Sequence, residues 1–244
     1  PGNKNKIIPV FEVAGTSPGI LYQKLRQHFN NKKTKKKLQD YTIMRIMDSN
    51  DNDDQAGGRT DYTDYELIQI MKNIHFNGIT LLDFSSLSPD TTHNRDRLIL
   101  PHSLPHILPK LREVNFSNTC IEGNILSNFS KFCPLLEKVT SNNSNNIAVD
   151  GDDMCDMFGA RHSNVLKEMY MDNTVFLPIF YYRDKFDDLN NHQDVFIFHK
   201  CCKAIERLSI RNAEYKNRDM NYMQNILIKF VRNAPPTLRW FRSD

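Results

Sequence analysis

Several absences in this sequence exclude broad classes of protein. No apolar run approaches the length of about 20 residues that a helix needs to cross a bilayer. The longest candidate, from Val175 to Tyr182, is short and contains a proline. No apolar signal-peptide segment occurs near Pro1. Neither sign of charge dominates, because 32 Lys and Arg residues face 29 Asp and Glu residues, which argues against a surface devoted wholly to nucleic acid.

Cysteine is scarce, and its spacing does not suit a metal or disulfide framework. The cysteines number five, an odd count, and no C-x-x-C motif occurs among them. A four-cysteine zinc site or a set of disulfides is therefore disfavoured. Thiols that act as small buried apolar residues fit better, and they favour a reducing compartment. We expect an intracellular protein, in the cytoplasm or the nucleus, with no membrane association and no bound metal or cofactor.

Each candidate motif for catalysis or metal binding in the sequence is incomplete. The segment G-T-S-P-G at 15–19 matches the nucleophile elbow of hydrolases, but Pro18 follows the serine and has no N–H for an oxyanion hole. The acidic loop 48–59 lacks the central glycine and the final glutamate of a calcium loop. Neighbouring prolines oppose a helix that would bring His102 and His106 together as metal ligands. The sequence thus predicts no catalytic residue, no metal site and no enzyme.

One eight-residue phrase recurs in the second half of the chain as LREVNFSN, LEKVTSNN, LKEMYMDN and IERLSIRN. The phrases begin at the anchors Leu111, Leu136, Leu166 and Ile205. Apolar residues follow each anchor at the third and fifth offsets, except that Ser141 fills one fifth offset. Weaker copies begin at Ile79 and Leu238, and the latter stops at the end of the sequence. The alternation of the third and fifth offsets is typical of a strand with one buried face.

These strands cannot bury their apolar face singly, so we expect them to stack in parallel as a solenoid. The predicted strands lie near 81–85, 112–116, 137–141, 167–171, 206–210 and 239–242. Segments between them, such as 121–133 and 223–231, have apolar residues at the three-to-four spacing of helices. The fold class is therefore α/β, with the helices on the side opposite the strands.

Every strong phrase has asparagine at the seventh offset. The residues are Asn118, Asn143, Asn173 and Asn212. An amide carries donors and an acceptor, so it can satisfy backbone groups where the chain leaves a strand. We expect a structural asparagine ladder whose side chains are mostly buried and bonded to the backbone.

The pattern resembles the leucine-rich repeat, L-x-x-L-x-L-x-x-N, and FCPLLEKV resembles the Cys-Pro element of its cysteine-containing, ribonuclease-inhibitor-like subclass. The segments LDFSSLSP, LPKLREVNFSNTCIEGNI, CPLLEKV and APPTLRWFRSD are similar to a large leucine-rich-repeat family expanded in diatoms. The resemblance covers residues 60–244. It implies a horseshoe with parallel strands on the concave face and helices on the convex face.

We divide the chain into an N-terminal capping region at 1–56, which contains a basic loop, and a leucine-rich-repeat domain at 57–244. A cap is expected because the end of a solenoid would otherwise expose its core. The domain holds about six irregular repeats, and we expect the repeats to be truncated at the C-terminus. An insertion at 172–194 is expected to bulge from a loop.

The residues between the core offsets point to the concave face, where we expect a protein partner to bind a non-catalytic, monomeric scaffold. The predicted partner-binding residues are Glu113, Asn115, Lys138, Glu168, Tyr170, Asp172, Arg207, Arg211, Trp240 and Arg242. Tyrosine, tryptophan and arginine are the types that most often dominate binding energy. The face becomes more basic toward its late repeats, which favours an acidic patch on the partner.

The alternative is a nucleic-acid-associated or nuclear protein that uses the basic run Lys32–Lys37 and the late arginines. No aromatic residue interrupts that run, so stacking on a single strand is not indicated. A solvated loop after a helix explains the same lysines. Nucleic acid is therefore the less favoured partner.

Overall fold

The computed structural model describes residues 10–14, 27, 41–47, 76–86, 104–119, 128–129, 131–144, 147–149, 165–178, 202–215, 224, 227–228 and 230–243. Its elements in chain order are β1 (Val10–Ala14), β2 (Ile43–Met47), β3 (Leu81–Asp83), α1 (Leu104–Ile107), β4 (Glu113–Asn115), β5 (Lys138–Thr140), β6 (Ile147–Val149), β7 (Glu168–Tyr170), β8 (Val175–Pro178), β9 (Arg207–Ser209), β10 (Glu214–Tyr215) and β11 (Trp240–Arg242).

Eight of these strands form the main sheet, in the order β1-β2-β3-β4-β5-β7-β9-β11. Every neighbouring pair is parallel. Each of the six strands predicted from the repeated phrase contains an observed strand, and the predicted parallel stacking is confirmed. We call the stretch from one main-sheet strand to the next a repeat.

The register places equivalent residues of each phrase side by side. At the third offset, Leu82 pairs with Val114, then Val139, Met169 and Leu208 in turn. These side chains are at most 1% exposed, and the anchors Ile79, Leu111, Leu136, Leu166 and Ile205 are also buried. A buried apolar row therefore runs across the strands, as close packing of a parallel sheet requires.

Aromatic rings extend this core from the fifth offset. The Phe84 and Phe116 rings stack with centroids 5.4 Å apart, and Phe129 meets Phe116 edge-on at 5.3 Å. Phe129 and Phe230 belong to short helical stretches, and Phe230 lies 5.3 Å from the Phe241 ring. Both helical stretches thus contact the apolar side of the sheet. In the described part of the chain, no helix has the length and apolar character that crossing a membrane would require.

A second sheet, absent from the sequence prediction, contains three short parallel strands in the order β10-β8-β6. In chain order, β6 follows β5, β8 follows β7 and β10 follows β9. The expectation that 172–194 bulges from a loop is wrong for Val175–Pro178, which pairs with strands on both sides. Its run V-F-L-P starts just beyond the turn at Asn173, so the chain enters the second sheet directly.

The first two strands belong to the N-terminal region. β1 pairs with β2 over five residues, from Val10 opposite Ile43 to Ala14 opposite Met47, and β2 then pairs with β3. The segment IIPVFEV at 7–13 has the pattern of a short strand, and KLQDYTIMRIMD at 37–48 is apolar enough to pack as a strand or a helix; β1 and β2 overlap these two segments. The capping role of 1–56 stays a prediction, and Lys32–Lys37 lies outside the described residues.

The histidine and cysteine side chains that the structure describes are built into the core or its margin. A one-turn helix, α1, spans Leu104–Ile107 and includes His106 but begins after His102, so it does not bring the two histidines together. Pro105 fits there because the first turn of a helix needs no N–H donor. The His106 ring packs 3.6 Å from that of Phe132 between centroids, and His102 lies outside the described residues.

The two described cysteines, Cys133 and Cys202, are free and buried. Burial raises the pKa of each thiol to about 12, so both stay protonated and unreactive near neutral pH. This matches the expectation of thiols that act as small apolar residues. Among the described residues, no group of three His, Cys, Asp or Glu side chains is placed to hold a metal ion.

Candidate functional site

The face of the main sheet opposite the apolar core carries the second- and fourth-offset residues of each phrase. In β4, β5 and β7 the middle residue is buried while its two neighbours remain partly exposed. This is the pleat of a strand, in which successive side chains point to opposite faces. We call this surface, with the sixth-offset residues of the following turns, the strand face. All ten predicted partner-binding residues belong to it.

Charged residues on the strand face pair between neighbouring strands. The Lys138 ammonium lies 3.4 Å from a carboxylate oxygen of Glu113, and Arg207 Nε lies 3.8 Å from one of Glu168. These side chains are all substantially exposed. Pairs of this kind contribute about 0–1 kcal/mol each, so they organise the surface more than they stabilise the fold.

A denser polar network lies near the start of the strand face. Arg45 bridges Glu12 and Asp83, with both nitrogen–oxygen distances at 3.2 Å. Oδ1 of Asp83 accepts hydrogen bonds from the backbone and hydroxyl of Ser85 and from the Asn115 amide. Burial alone would raise the pKa of Asp83, but the hydrogen bonds from Ser85 and the adjacent Arg45 outweigh it and lower that pKa.

This network makes the stability of the fold depend on pH. The pKa of Asp83 is lower in the folded chain, so its contribution is present above the unfolded pKa and is lost as pH falls through the folded pKa. We expect Asp83→Asn to lower the free energy of unfolding at pH 7 by about 1–3 kcal/mol. The difference from wild type should shrink as pH falls below about 4. Urea unfolding across this pH range measures it.

The exposed partner of the same arginine supplies the control. Glu12→Gln should change the unfolding free energy by less than about 1 kcal/mol, because its ion pair with Arg45 lies at the surface. A loss in Asp83→Asn that stays constant from neutral to acid pH would contradict the ionised role of Asp83.

Sixth-offset side chains form a ladder that the sequence analysis missed. The backbone N–H of Asn142 donates to Ser117 Oγ at 3.3 Å, and that of Asp172 donates to Asn142 Oδ1 at 2.8 Å. The N–H of Arg211 in turn donates to Asp172 Oδ1 at 2.9 Å, and the Ser209 hydroxyl donates to the same oxygen. Each side chain therefore satisfies a turn in the following repeat.

Two predicted partner-binding residues are thereby engaged inside the fold. Asp172 accepts the hydrogen bonds of the sixth-offset ladder. Asn115 donates to Asp83 and accepts from the backbone N–H of Ser117. Their polar atoms hold the repeats together, so they are weaker candidates for contact with a partner.

The seventh-offset asparagines also form a ladder, but the prediction that they are mostly buried is wrong. Asn118 is half-buried, whereas Asn143, Asn173 and Asn212 are exposed. Each has a positive φ, between 50° and 64°. Asparagine tolerates this left-handed conformation better than most residues, and here it turns the chain off the main sheet. The corner of the turn carries the amide outward rather than into the core.

The amides of this asparagine ladder bond mainly to one another instead of to the backbone. Nδ2 of Asn143 donates to Oδ1 of Asn118 at 3.1 Å, Asn173 donates to Asn143 at 2.8 Å, and Asn212 donates to Asn173 at 3.0 Å. Within the described ladder, only the Asn118 amide donates to a backbone carbonyl, that of Ser85 at 3.4 Å. The described ladder is thus a surface chain of amides that links successive repeats.

Hydroxyl residues take the buried position one residue later. Thr119, Ser144 and Thr174 are at most 4% exposed. The Thr119 hydroxyl donates to a backbone carbonyl of its own phrase, and those of Ser144 and Thr174 donate to a carbonyl of the preceding phrase. Ser144 also accepts from Ser141, which explains a serine at an otherwise apolar fifth offset. This eighth offset is where L-x-x-L-x-L-x-x-N has its asparagine. The recurrence of hydroxyl residues at this offset was the signal in the sequence for a buried hydrogen-bonding position.

A cluster of aromatic residues and arginines occupies the late part of the strand face. This aromatic and arginine cluster consists of Tyr170, Trp240, Arg207, Arg211 and Arg242. The Tyr170 and Trp240 ring centroids are 6.2 Å apart, although their strands, β7 and β11, are separated by β9. Two strand spacings amount to about 9.6 Å, so the rings lean toward each other over β9. Ser209 on β9 is 1% exposed, which fits a small side chain beneath the two rings.

Charged side chains surround this cluster. The Tyr170 hydroxyl donates to Glu168 Oε2 at 3.0 Å, and the Lys138 ammonium lies 5.8 Å from the centre of the tyrosine ring. Burial raises the pKa of Tyr170, Glu168 raises it further, and Arg207 partly offsets both. Trp240 nevertheless remains 41% exposed.

A scan against protein-family models and a search of the curated proteins both find no match. The site must therefore be interpreted from its own geometry. The late strand face offers exposed cation and aromatic side chains on a paired, parallel scaffold.

Proposed function

We propose that this chain is a non-catalytic protein-interaction module of leucine-rich-repeat type, a monomeric horseshoe that binds a protein partner on its strand face. The parallel register of eight strands in chain order supports a solenoid. The contacts of Phe129 and Phe230 with the apolar side of the sheet support helices on the convex side. An intracellular location and a capping role for 1–56 belong to the same proposal.

The aromatic and arginine cluster carries this proposal. A tryptophan that is 41% exposed beside a tyrosine presents apolar ring surface to solvent. Tryptophan, tyrosine and arginine supply most hot spots of protein interfaces, because large rigid side chains bury much area at low entropic cost. Here they sit on short strands whose backbone hydrogen bonds hold them in place. The surface is therefore organised before a partner arrives.

Trp240→Ala should weaken binding of the partner by about 2 kcal/mol or more, which is about thirtyfold in Kd. A photo-crosslinking residue at position 138 would first identify proteins that contact the strand face in cell lysate. Calorimetry with the purified partner then compares wild type with the variant. The melting curve should change little, because the indole is already partly exposed.

Val231→Ala provides the matched control. Val231 is 55% exposed and lies in a helical stretch rather than on the strand face, so its loss should leave affinity unchanged. Equal affinities for the Trp240 and Val231 variants would exclude the strand face as the binding surface. A crosslinked partner that disappears after nuclease treatment would instead indicate the nucleic-acid alternative, whose Lys32–Lys37 run lies outside the described residues.

A further inference from the structure

The strand face is divided by charge into two halves. The early half, from β1 to β4, contains three carboxylates and one cation: Glu12, Asp83, Glu113 and Arg45. The late half, from β5 to β11 with the intervening turns, contains four cations and two carboxylates: Lys138, Arg207, Arg211, Arg242, Glu168 and Asp172. The late half is therefore net positive, and the aromatic pair lies within it.

The carboxylates of the late half are already engaged by neighbouring residues. Asp172 Oδ1 accepts from the Arg211 backbone and from Ser209. Glu168 accepts from the Tyr170 hydroxyl and faces Arg207 at the long distance of 3.8 Å. Arg207 and Arg211 are both exposed, and no described carboxylate forms an ion pair with the Arg211 side chain. Arginine binds carboxylates through paired N–H donors, so these groups suit an incoming acid.

The spacing of the late half defines the size of its ligand. Arg207 on β9 and Arg211 in the turn that follows it are four residues apart, or about 13 Å along an extended strand. An extended peptide covers this distance with about five residues. The rings of Tyr170 and Trp240 meet over Ser209, which lies between these two arginines, so an apolar side chain near the middle of such a segment would meet both rings.

We infer that the late half of the strand face recognises an acidic, extended segment of its partner that carries one large apolar side chain. The apolar side chain packs against Tyr170 and Trp240, and carboxylates on either side pair with Arg207 and Arg211. This inference rests on the proposed function and adds the chemistry of the partner. The early half, with its excess of carboxylates, does not attract such a segment.

Synthetic fluorescent peptides provide the direct test. The probe is a glutamate-rich peptide with a central phenylalanine, compared with a version in which serine replaces the phenylalanine and one in which lysines replace the glutamates. In fluorescence anisotropy, the first peptide should bind wild type at least about tenfold more tightly than either of the others. Its affinity should fall as salt rises, because the pairing groups are exposed.

Charge reversal locates the binding site. Arg211→Glu should weaken binding of the acidic aromatic peptide by about tenfold or more. Arg232→Glu makes the same change on an exposed helical residue away from the strand face and should leave the affinity unchanged. Circular dichroism should show that both variants keep the fold.

Several results would overturn this inference. These are equal affinity for the acidic and basic peptides, equal affinities of the Arg211 and Arg232 variants, or tighter binding of a single-stranded oligonucleotide than of the acidic peptide. If no peptide binds while Trp240→Ala still weakens capture of the natural partner, the proposed function stands and only the acidic segment is refuted. If Trp240→Ala has no effect on that capture either, both fail.

Discussion

Replacing Phe116 by alanine should lower the free energy of unfolding by about 3–5 kcal/mol. Phe116 is fully buried, and its ring stacks on Phe84 from the preceding repeat at 15° between planes. It also receives the edge of Phe129 at 77°. Truncation would leave a cavity where two repeats and a helical stretch meet, and the neighbouring strand ladder limits how far they can collapse into it. Urea or thermal unfolding followed by circular dichroism measures the loss.

Two further variants separate this cavity from general damage. Leu135→Ala removes a side chain that is 38% exposed and should change stability by no more than about 0.5 kcal/mol. Phe116→Leu keeps most of the buried volume and should cost less than the alanine substitution. If Phe116→Ala proves no more damaging than Leu135→Ala, the aromatic contact between repeats does not support the fold as described.

Asn173→Val should destabilise the chain by about 2–3 kcal/mol, even though Asn173 is exposed. The residue has a φ of 54°, where a β-branched side chain clashes with its own backbone. Its amide also donates to Asn143 and accepts from Asn212. Valine removes both hydrogen bonds of this exposed ladder and adds the backbone strain. Chemical denaturation gives the loss directly.

Asn173→Gly tells the two contributions apart. Glycine adopts a positive φ without strain but lacks the amide, so it should be more stable than the valine variant by about 1–2 kcal/mol. The remaining difference between glycine and wild type reports the amide ladder. Equal stability of the valine and glycine variants would mean that the left-handed backbone at this corner is not a constraint.

Much of the main sheet could be predicted because its signal is repeated. The third and fifth offsets of each phrase alternate as a strand requires, and several copies agree on the register. The alternation ends where the strand ends, however. Two turn residues follow, so the side chain at the seventh offset no longer points toward the core. The two-residue alternation also does not indicate that the asparagines adopt a left-handed φ. Burial of Asn143 was expected because its amide could satisfy backbone groups at the turn, whereas that amide bonds to Asn118 along the exposed ladder.

The second sheet and the polar ladders were harder to foresee because they depend on distant pairings. Strands of two to four residues that no repeated phrase marks carry too little pattern to stand out, as Glu214–Tyr215 illustrates. Asp172 looked like a surface carboxylate, but its partners Ser209 and Arg211 lie 37 and 39 residues further along. Only the parallel register brings them together. The candidate binding residues could be placed on a face, while their internal hydrogen bonds could not be foreseen.

The unequal lengths of the repeats acquire a simple explanation from the asparagine ladder. Bonded neighbours are separated by 25 residues in one case and by 39 in another, yet their amides meet at nearly the same distance. Closing the longer loop costs only about 0.4 kcal/mol more than closing the shorter one, since loop entropy grows with the logarithm of length. Extra residues can therefore accumulate between strands at almost no thermodynamic cost. Selection acting on this chain could vary the segments between its strands freely while the strand face stayed in register.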